Sequence, residues 1–544
     1  MGEEYRIYGP PGTGKTTLIV KELIPEKIKK YSSKKIMITS FTRTAALNIA
    51  QRAKQESINN QIPDNMIGTL HSICFHALKM PKMFVQYIPD WNKKYPGLQL
   101  STKKALLEEN EISTSKTGDH LYHMIENKRA KMIPEQNWSK QLRQFNEKLK
   151  AFKKEKKCID FTDLIDTAIN TLPIAPFNPA VIIADEVQDF TPLQIALLRS
   201  WKLMLSELIM VGDEDQCIYS FGGTDPKSFL SPKLSDDKIR ILNQSYRVPI
   251  KIHKLATKFT KKIKDRIPKN YNPTSVQGKI TRGTGNYADT NWAMKRTVKH
   301  LENNQNIMFA ASCSFMLDNI KKDLYQKHIP FSNPYRTSRT DWNPLLPKRT
   351  NRAIINIFLN FLYAKENDIY WTLQQAFNWL LYMKDNVFID NDSKTFKAVF
   401  EQYKKDENNF IKQQSSEDLC KDFIKPHHLD SALKRDTDWL LKNMVEEKAK
   451  IKGLNYIQKI YQKYGLKYFQ SSAPVHIGTI HSFKGAETDV CFLYPDISKT
   501  GAEYKNTNKK NLDEFYRLFY VAITRTKQQL YIMNPVKNNH FIEI

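Results

Sequence analysis

The sequence predicts an α/β fold with two parallel sheets, each carrying a mostly helical insertion. Three observations predict it. Short β-rich runs recur along the 544 residues, most of them continuous and apolar, as strands buried on both faces of a parallel sheet are. Helix-compatible stretches lie between many of these runs. The runs fall into one group before residue 245 and another after residue 300, which makes two sheets rather than one.

The first group is Tyr5–Tyr8, Lys35–Thr39, Ala180–Ala184, Glu207–Val211 and Lys238–Leu242. The second is Asn306–Ala310, Val475–Ile480, Asp489–Tyr494 and Gln529–Met533. Two polar, lysine-rich regions with helical spacing interrupt them. The expected organisation is a first α/β domain from 1–74 and 156–243 with a helical insertion at 75–155. A second follows from 244–334 and 471–544, with a helical insertion at 335–470.

Composition narrows the class. Hydrophobic residues are 41% and charged residues 26%, which excludes a largely disordered chain. No apolar run approaches the ~20 residues that span a bilayer, and Met1–Pro10 has no apolar signal core, so a cytoplasmic protein is expected. Lys plus Arg is 84 against 57 Asp plus Glu, a net charge of +27 that expects a polyanionic partner such as nucleic acid. A lysine-rich proteome from an AT-rich genome fits that charge equally well. The basic run Lys148–Lys157 leaves the same choice open, duplex binding or a solvated helix face. The six cysteines form no C-x-x-C pair, which argues against a zinc ribbon, an iron–sulfur cluster or a disulfide framework.

Two motifs carry chemistry. Gly9-Pro-Pro-Gly-Thr-Gly-Lys15-Thr16 follows a strand and precedes the helix-compatible stretch Thr17–Lys27, the context of a phosphate-binding loop. Its glycines let backbone N–H groups curl around phosphate oxygens. Lys15 would neutralise β/γ charge, and Thr16 would offer a hydroxyl to Mg²⁺. The apolar run Ala180–Ala184 ends in Asp185-Glu186. Asp185 is placed to hold Mg²⁺, and Glu186 to polarise an attacking water.

Further segments then match a family. Asp185-Glu-Val-Gln-Asp189, Val211-Gly-Asp-Glu-Asp-Gln216-Cys-Ile-Tyr-Ser-Phe-Gly222-Gly223 and Ser40-Phe-Thr-Arg-Thr-Ala-Ala46 resemble motifs of UvrD/Rep-type superfamily 1 DNA helicases. So do Gly68-Thr-Leu-His-Ser72, Asn243-Gln-Ser-Tyr-Arg247, Ile477-Gly-Thr-Ile-His-Ser-Phe-Lys-Gly-Ala-Glu487 and Glu514-Phe-Tyr-Arg-Leu-Phe-Tyr-Val-Ala-Ile-Thr-Arg525, in the family's order. The resemblance implies two RecA-like P-loop motor domains and ATP-driven, 3′→5′ movement on single-stranded DNA with unwinding of forked duplex. A protein loader, or a defence or replication protein, is a further partner that the sequence leaves open.

It also implies roles. Lys15, Glu186, Gln216, Arg247 and Arg525 would be catalytic, the two arginines as fingers and Gln216 as γ-phosphate sensor. Gly9, Pro10, Pro11, Gly12, Thr13, Gly14, Lys15, Thr16 and Thr17 would surround the phosphates. Tyr246 would stack on the base, and Glu487 would contact the ribose. Thr16 and Asp185 would hold Mg²⁺. Phe41, Thr42, His71, Ser72, Tyr219, Phe221, His481 and Ser482 would face DNA, with ordinary core packing the alternative for Phe41 and Phe221.

The sequence departs from the family in places. Only Met1–Tyr8 precede Gly9, where the family has an upstream glutamine segment that reads adenine, so other NTPs are expected to serve beside ATP. Gly222 stands where the family has arginine, and Ala486 where it has leucine. Small size and Lys/Asn-rich composition fit a phage or mobile-element gene. Two other readings stay open: a nucleic-acid-gated NTPase sensor that does not unwind, and a helicase directed to RNA.

Overall fold

The computed structural model describes residues 2–56, 62–101, 117–334, 342–346, 354–363, 370–407, 411, 414–445, 453–507, 509–536 and 540–544. The chain divides into two compact units. One comprises 1–296, 307–317 and 478–544; the other comprises 297–306 and 318–477.

The described strands are β1 (Glu3–Tyr8), β2 (Ile36–Ser40), β3 (Ile67–Gly68), β4 (Val181–Asp185), β5 (Glu207–Gly212) and β6 (Ile239–Ile241), then β7 (Lys279–Arg282) and β8 (Ile307–Ala311). They continue with β9 (Phe331–Ser332), β10 (Val475–Thr479), β11 (Thr488–Leu493) and β12 (Thr526–Ile532). In the first unit, β1 to β6 form a parallel sheet in the order β3-β2-β4-β5-β1-β6. The apolar runs β2 and β4 are buried at every residue, as both-face burial requires. A second parallel set in this unit runs β7-β12-β11-β8. Each has its own core: Ile38, Ile183, Ile209 and Trp201 belong to the first, and Met308, Phe483, Phe519 and Leu530 to the second.

The helix after the phosphate loop is longer than its sequence suggests and is not uniform. It is α-helical over Lys15–Leu18 and Ile24–Tyr31, with a π-helical stretch Ile19–Leu23 between. Pro25 explains the wide turn: it has no N–H for the carbonyl four residues back, and its ring crowds that carbonyl.

The described residues of 84–101 and 117–158 build a small helical layer with a separate core of Phe84, Trp91, Phe145, Leu149 and Phe152. The basic run lies on its helix Lys140–Lys156. That helix does not present an unbroken basic face. Lys153 is buried and bound to Asp160 and Asp163, Lys150 pairs with Glu135 at 2.6 Å, and Lys156 with Asp90 at 2.9 Å. Local ion pairing thus accounts for part of the run.

The second unit is mainly helical, including Ile354–Leu362, Leu373–Leu380, Ser393–Lys405, Thr437–Asn443 and Leu454–Tyr464. Its core is aromatic: the Trp379 ring lies 4.9 Å from Trp371 and 5.3 Å from Phe361, and the Arg435 guanidinium covers Trp371 at 3.9 Å. Within it, Phe331 and Ser332 of β9 pair in parallel with Val475 and His476 of β10. Among the described residues, no helix is long and apolar enough to cross a membrane.

Candidate nucleotide and nucleic-acid sites

The C-terminal ends of β1, β4 and β5 meet at one edge of the first sheet, the edge where open α/β sheets bind ligands. The phosphate loop leaves β1 there. The Gly9 N–H donates to the Gly212 carbonyl at 2.9 Å, which ties the loop to the end of β5. Gly12 and Gly14 take φ of 75° and 79°, a left-handed backbone that only glycine adopts readily. At Gly12 a side chain would also strike Arg247, whose Cβ is 2.5 Å from where a Gly12 Cβ would be. The Lys15 ammonium donates to the Gly9 carbonyl at 3.1 Å and lies 3.6 Å from Glu186.

β4 delivers the acidic pair. Asp185 is buried, and its carboxylate accepts the Glu186 N–H at 2.9 Å. Glu186 turns away from the strand in a left-handed conformation, φ 54°. Burial, and then the charge of Glu186, push the Asp185 carboxyl up to about 7. Burial also opposes ionisation of Glu186, but the ammonium groups of Lys15 and Lys484 hold it at about 2. Two neighbouring carboxyls are thereby set apart, with Glu186 ionised. The donor set of the Asp185 carboxylate and the Thr16 hydroxyl fits Mg²⁺: both are hard oxygen ligands.

β5 runs into Asp213-Glu214-Asp215-Gln216, all buried. The Gln216 amide donates to Asp213 at 2.8 Å, and its carbonyl oxygen accepts from the Arg525 guanidinium at 3.1 Å. Arg525 lies at the turn between helix Lys509–Ile523 and β12. It is 1% exposed and also donates to the carbonyls of Val521 at 2.9 Å and Ala486 at 3.3 Å. Arg247 and Glu487, expected to touch different parts of a nucleotide, are paired with each other at 3.0 Å. Tyr246 is 77% exposed, and its backbone N–H donates to the Gly12 carbonyl at 2.8 Å.

Sequence reasoning missed four residues here. Gln188 donates to Glu186, and its side-chain oxygen accepts the Asp213 N–H at 2.9 Å. Lys484 binds Asp189 and the Gln216 carbonyl at 2.7 Å. Lys269 and Arg266 neutralise the acidic trio. The Lys269 ammonium is 3.0 Å from both Asp213 and Asp215 and bonds Glu214, while Arg266 grips Asp215 through two nitrogens, at 2.9 and 2.8 Å. The trio's carboxylates lie close enough to ligate a metal. An ammonium already fills that role.

Lys269 is 1% exposed on its side chain. Lys269→Met leaves three buried carboxylates with Arg266 alone. The expected loss is about 3–5 kcal/mol, as for other broken buried ion pairs, read from urea unfolding midpoints. Wild-type stability in that variant would show that the ammonium does not hold this cluster.

The nucleic-acid residues form a partial ladder. Phe41 follows β2 and stacks on Tyr219, centroids 5.5 Å apart; Tyr219 meets Phe221 at 6.0 Å, and Phe221 meets His481 at 5.7 Å. Phe41 packs partly on the first core, and Tyr219 on the second. Phe221 is half-buried and belongs to neither core cluster, which disfavours the packing alternative for it. His481 bonds the Ile218 carbonyl at 3.1 Å, and the Ser482 hydroxyl donates to the Thr479 carbonyl at 2.8 Å. Thr42 caps helix Arg43–Gln55 by accepting the Ala45 N–H, and Ser72 is exposed. His71 follows β3, beside β2, where its ring meets Phe161 at 5.7 Å and Gln194 at 3.5 Å. Burial lowers the His71 pKa to about 4, so it is neutral at pH 7.

Two family models match this chain: the UvrD/REP helicase N-terminal domain over residues 1–236 and the UvrD-like helicase C-terminal domain over 240–536. The chain belongs to the UvrD/REP helicase family. Its relatives include a probable DNA helicase II homolog of Mycoplasma capricolum, 23% identical over 97% of this chain and 81% of the relative. The ATP-dependent DNA helicase Rep of Buchnera aphidicola is 22% identical, covering 96% of this chain and 89% of that protein. The ATP-dependent DNA helicase PcrA of Staphylococcus aureus is 22% identical, covering 97% and 81%. In this UvrD-like helicase the two matched regions meet at β6, within the first unit.

Proposed function

We propose that this UvrD-like helicase is an ATP-driven motor that moves 3′→5′ on single-stranded DNA and unwinds forked duplex. The observation that carries the proposal is continuity along one loop. Asp213–Gly223 carries Gln216, bonded to Arg525 near the Lys15–Glu186 pair, in its first half, and Tyr219 and Phe221 of the aromatic ladder in its second. A change at the γ-phosphate and a change at a stacked base would therefore move the same segment.

In this proposal the first motor domain is 1–74 and 156–243, and the second is 244–334 and 471–544. The loop Gly9–Thr17 cradles the ATP phosphates, Thr16 and Asp185 hold Mg²⁺, and the ion supplies positive charge to the phosphate oxygens when bound. Glu186, ionised at neutral pH, accepts a proton from the attacking water. Gln216 and Arg525 present an amide and a guanidinium to the γ-phosphate. Arg247, released from Glu487, would add a second cation, and Glu487 would then be available to a ribose hydroxyl. Tyr246, an exposed residue, offers a stacking face to the base, which tolerates other NTPs because every base has one.

Steady-state hydrolysis without nucleic acid, with single-stranded DNA, with single-stranded RNA and with blunt duplex, at one salt concentration, tests the proposal. Single-stranded DNA should stimulate most, and a 3′-tailed duplex should be unwound in preference to a 5′-tailed one. Phe221→Ala should weaken strand binding by about 1–3 kcal/mol, the worth of one stacked base, and lower stimulated turnover. Equal stimulation by RNA, or stimulation without unwinding, would replace the proposal with an RNA-directed enzyme or a non-unwinding sensor.

A further inference from the structure

One helix pins the whole loop Asp213–Gly223. Helix Lys509–Ile523 touches it at two points, and Arg525 just beyond the helix makes a third. Near the helix N-terminus, the Ser220 hydroxyl donates to Glu514 at 2.6 Å. In the middle, Arg517 donates to the Glu214 carbonyl at 3.1 Å, and to Asp265 at 2.7 Å. At the far end, Arg525 reaches Gln216 at 3.1 Å. From Glu514 to Ile523 is about 14 Å at the helical rise, with Arg525 two residues further on, so the helix acts as a strut between the two parts of the loop.

The opposite side of the loop is held by the helical layer. The Asn127 amide donates to the carbonyls of Ser220 at 3.1 Å and Phe221 at 2.8 Å. At Gly223, φ 94°, a side chain would sit 2.7 Å from the Ala130 Cβ, so loop and helix Asp119–Ala130 approach as closely as glycine permits. Phe221 is thus fixed from two sides. The Ser220–Glu514 bond joins its immediate neighbour to the helix that leads into Arg525. Tyr504, whose hydroxyl is 3.3 Å from both Glu514 oxygens, holds that carboxylate in place.

We propose that Glu514 is a positioning residue that couples strand occupancy to hydrolysis. Its hydrogen bond with Ser220 makes displacement of the base-facing loop and advance of Arg525 toward the γ-phosphate a single movement. The inference rests on the motor reading above, and names a contact through which its two sites communicate. Neither Ser220 nor Glu514 touches nucleotide or strand in this scheme.

The test compares Glu514→Ala, Glu514→Gln and Ser220→Ala with wild type, measuring ATP hydrolysis with and without an oligo-dT strand and strand affinity by anisotropy. Losing a hydrogen bond to a carboxylate should cut the strand-stimulated kcat by about tenfold or more. Basal turnover, KM for ATP and strand affinity should stay near wild type. Glu514→Gln keeps an acceptor for Ser220 and should restore most of the stimulation. Ser220→Ala should behave as Glu514→Ala, and the double variant should be no worse than either. Wild-type stimulation in Glu514→Ala and Ser220→Ala would overturn the proposal alone, as would equal loss of basal and stimulated turnover. A wild-type enzyme that no strand stimulates would overturn the motor reading and this proposal with it.

Discussion

Lys15→Ala should lose ATP hydrolysis by about 10²–10³-fold or more while keeping its affinity for single-stranded DNA. The size follows from where the ammonium sits. It is held over the phosphate loop by the Gly9 carbonyl, 3.6 Å from Glu186, at the C-terminal edge of a buried sheet where charges act through little water. Alanine removes the charge that would face the β/γ oxygens and leaves the loop backbone in place, since its turns depend on Gly12 and Gly14. Lys15 also lowers the Glu186 pKa, so its removal should raise that pKa and move the acid limb of any residual pH–rate profile to higher pH. Hydrolysis and strand binding, measured on the same preparation, give the check. Retained turnover would remove Lys15 from the site, and parallel loss of strand binding would point to a misfolded loop.

The parts of this site that were readable in the sequence are those whose chemistry is local. Lys15 and Thr16 follow a strand and a glycine turn, and Asp185-Glu186 end a wholly apolar run, so residue type and spacing already specify phosphate and metal chemistry. The central strands were readable for a similar reason: β4 and β5 are buried along their whole length and read as apolar runs. β3 and β9 have two residues each, and β7 is an edge strand reading Lys-Ile-Thr-Arg, so none carries a periodic apolar signal. Lys269 and Arg266 were missed because their meaning lies in three carboxylates more than fifty residues earlier. In a chain with 84 basic residues, a single lysine has no local mark of burial. The three consecutive acids Asp213–Asp215 were the available signal: buried at a strand end, they require cations from elsewhere. The run Lys148–Lys157 shows the converse, since a conspicuous local pattern proved partly committed to ion pairs with Asp160, Glu135 and Asp90.

Arg525→Ala should lower strand-stimulated kcat by about 10³-fold, the range of an arginine finger, with little change in KM for ATP. Arg247 should give the smaller effect, because the two arginines are held differently. Arg525 is buried, and three carbonyl oxygens fix its guanidinium: Val521 and Ala486 in the backbone and Gln216 in the side chain. Its guanidinium therefore keeps one orientation as it advances with the loop, and Gln216 is set by the same contact. Arg247 is engaged with Glu487, so its transfer to a phosphate must first break a 3.0 Å ion pair. The same anchoring predicts that Arg525→Lys does not rescue. An ammonium is a point charge and cannot serve Gln216, Ala486 and Val521 with the fixed fork that guanidinium supplies. Alanine also strands those buried acceptors, costing about 1–3 kcal/mol of stability, so nucleotide affinity must be measured beside turnover. Near-normal kcat in Arg525→Ala would end its assignment as a finger. Lost nucleotide binding would make it a structural residue. Tight binding with turnover about a thousandfold slower, not recovered by lysine, is the result that a finger pre-set against Gln216 requires.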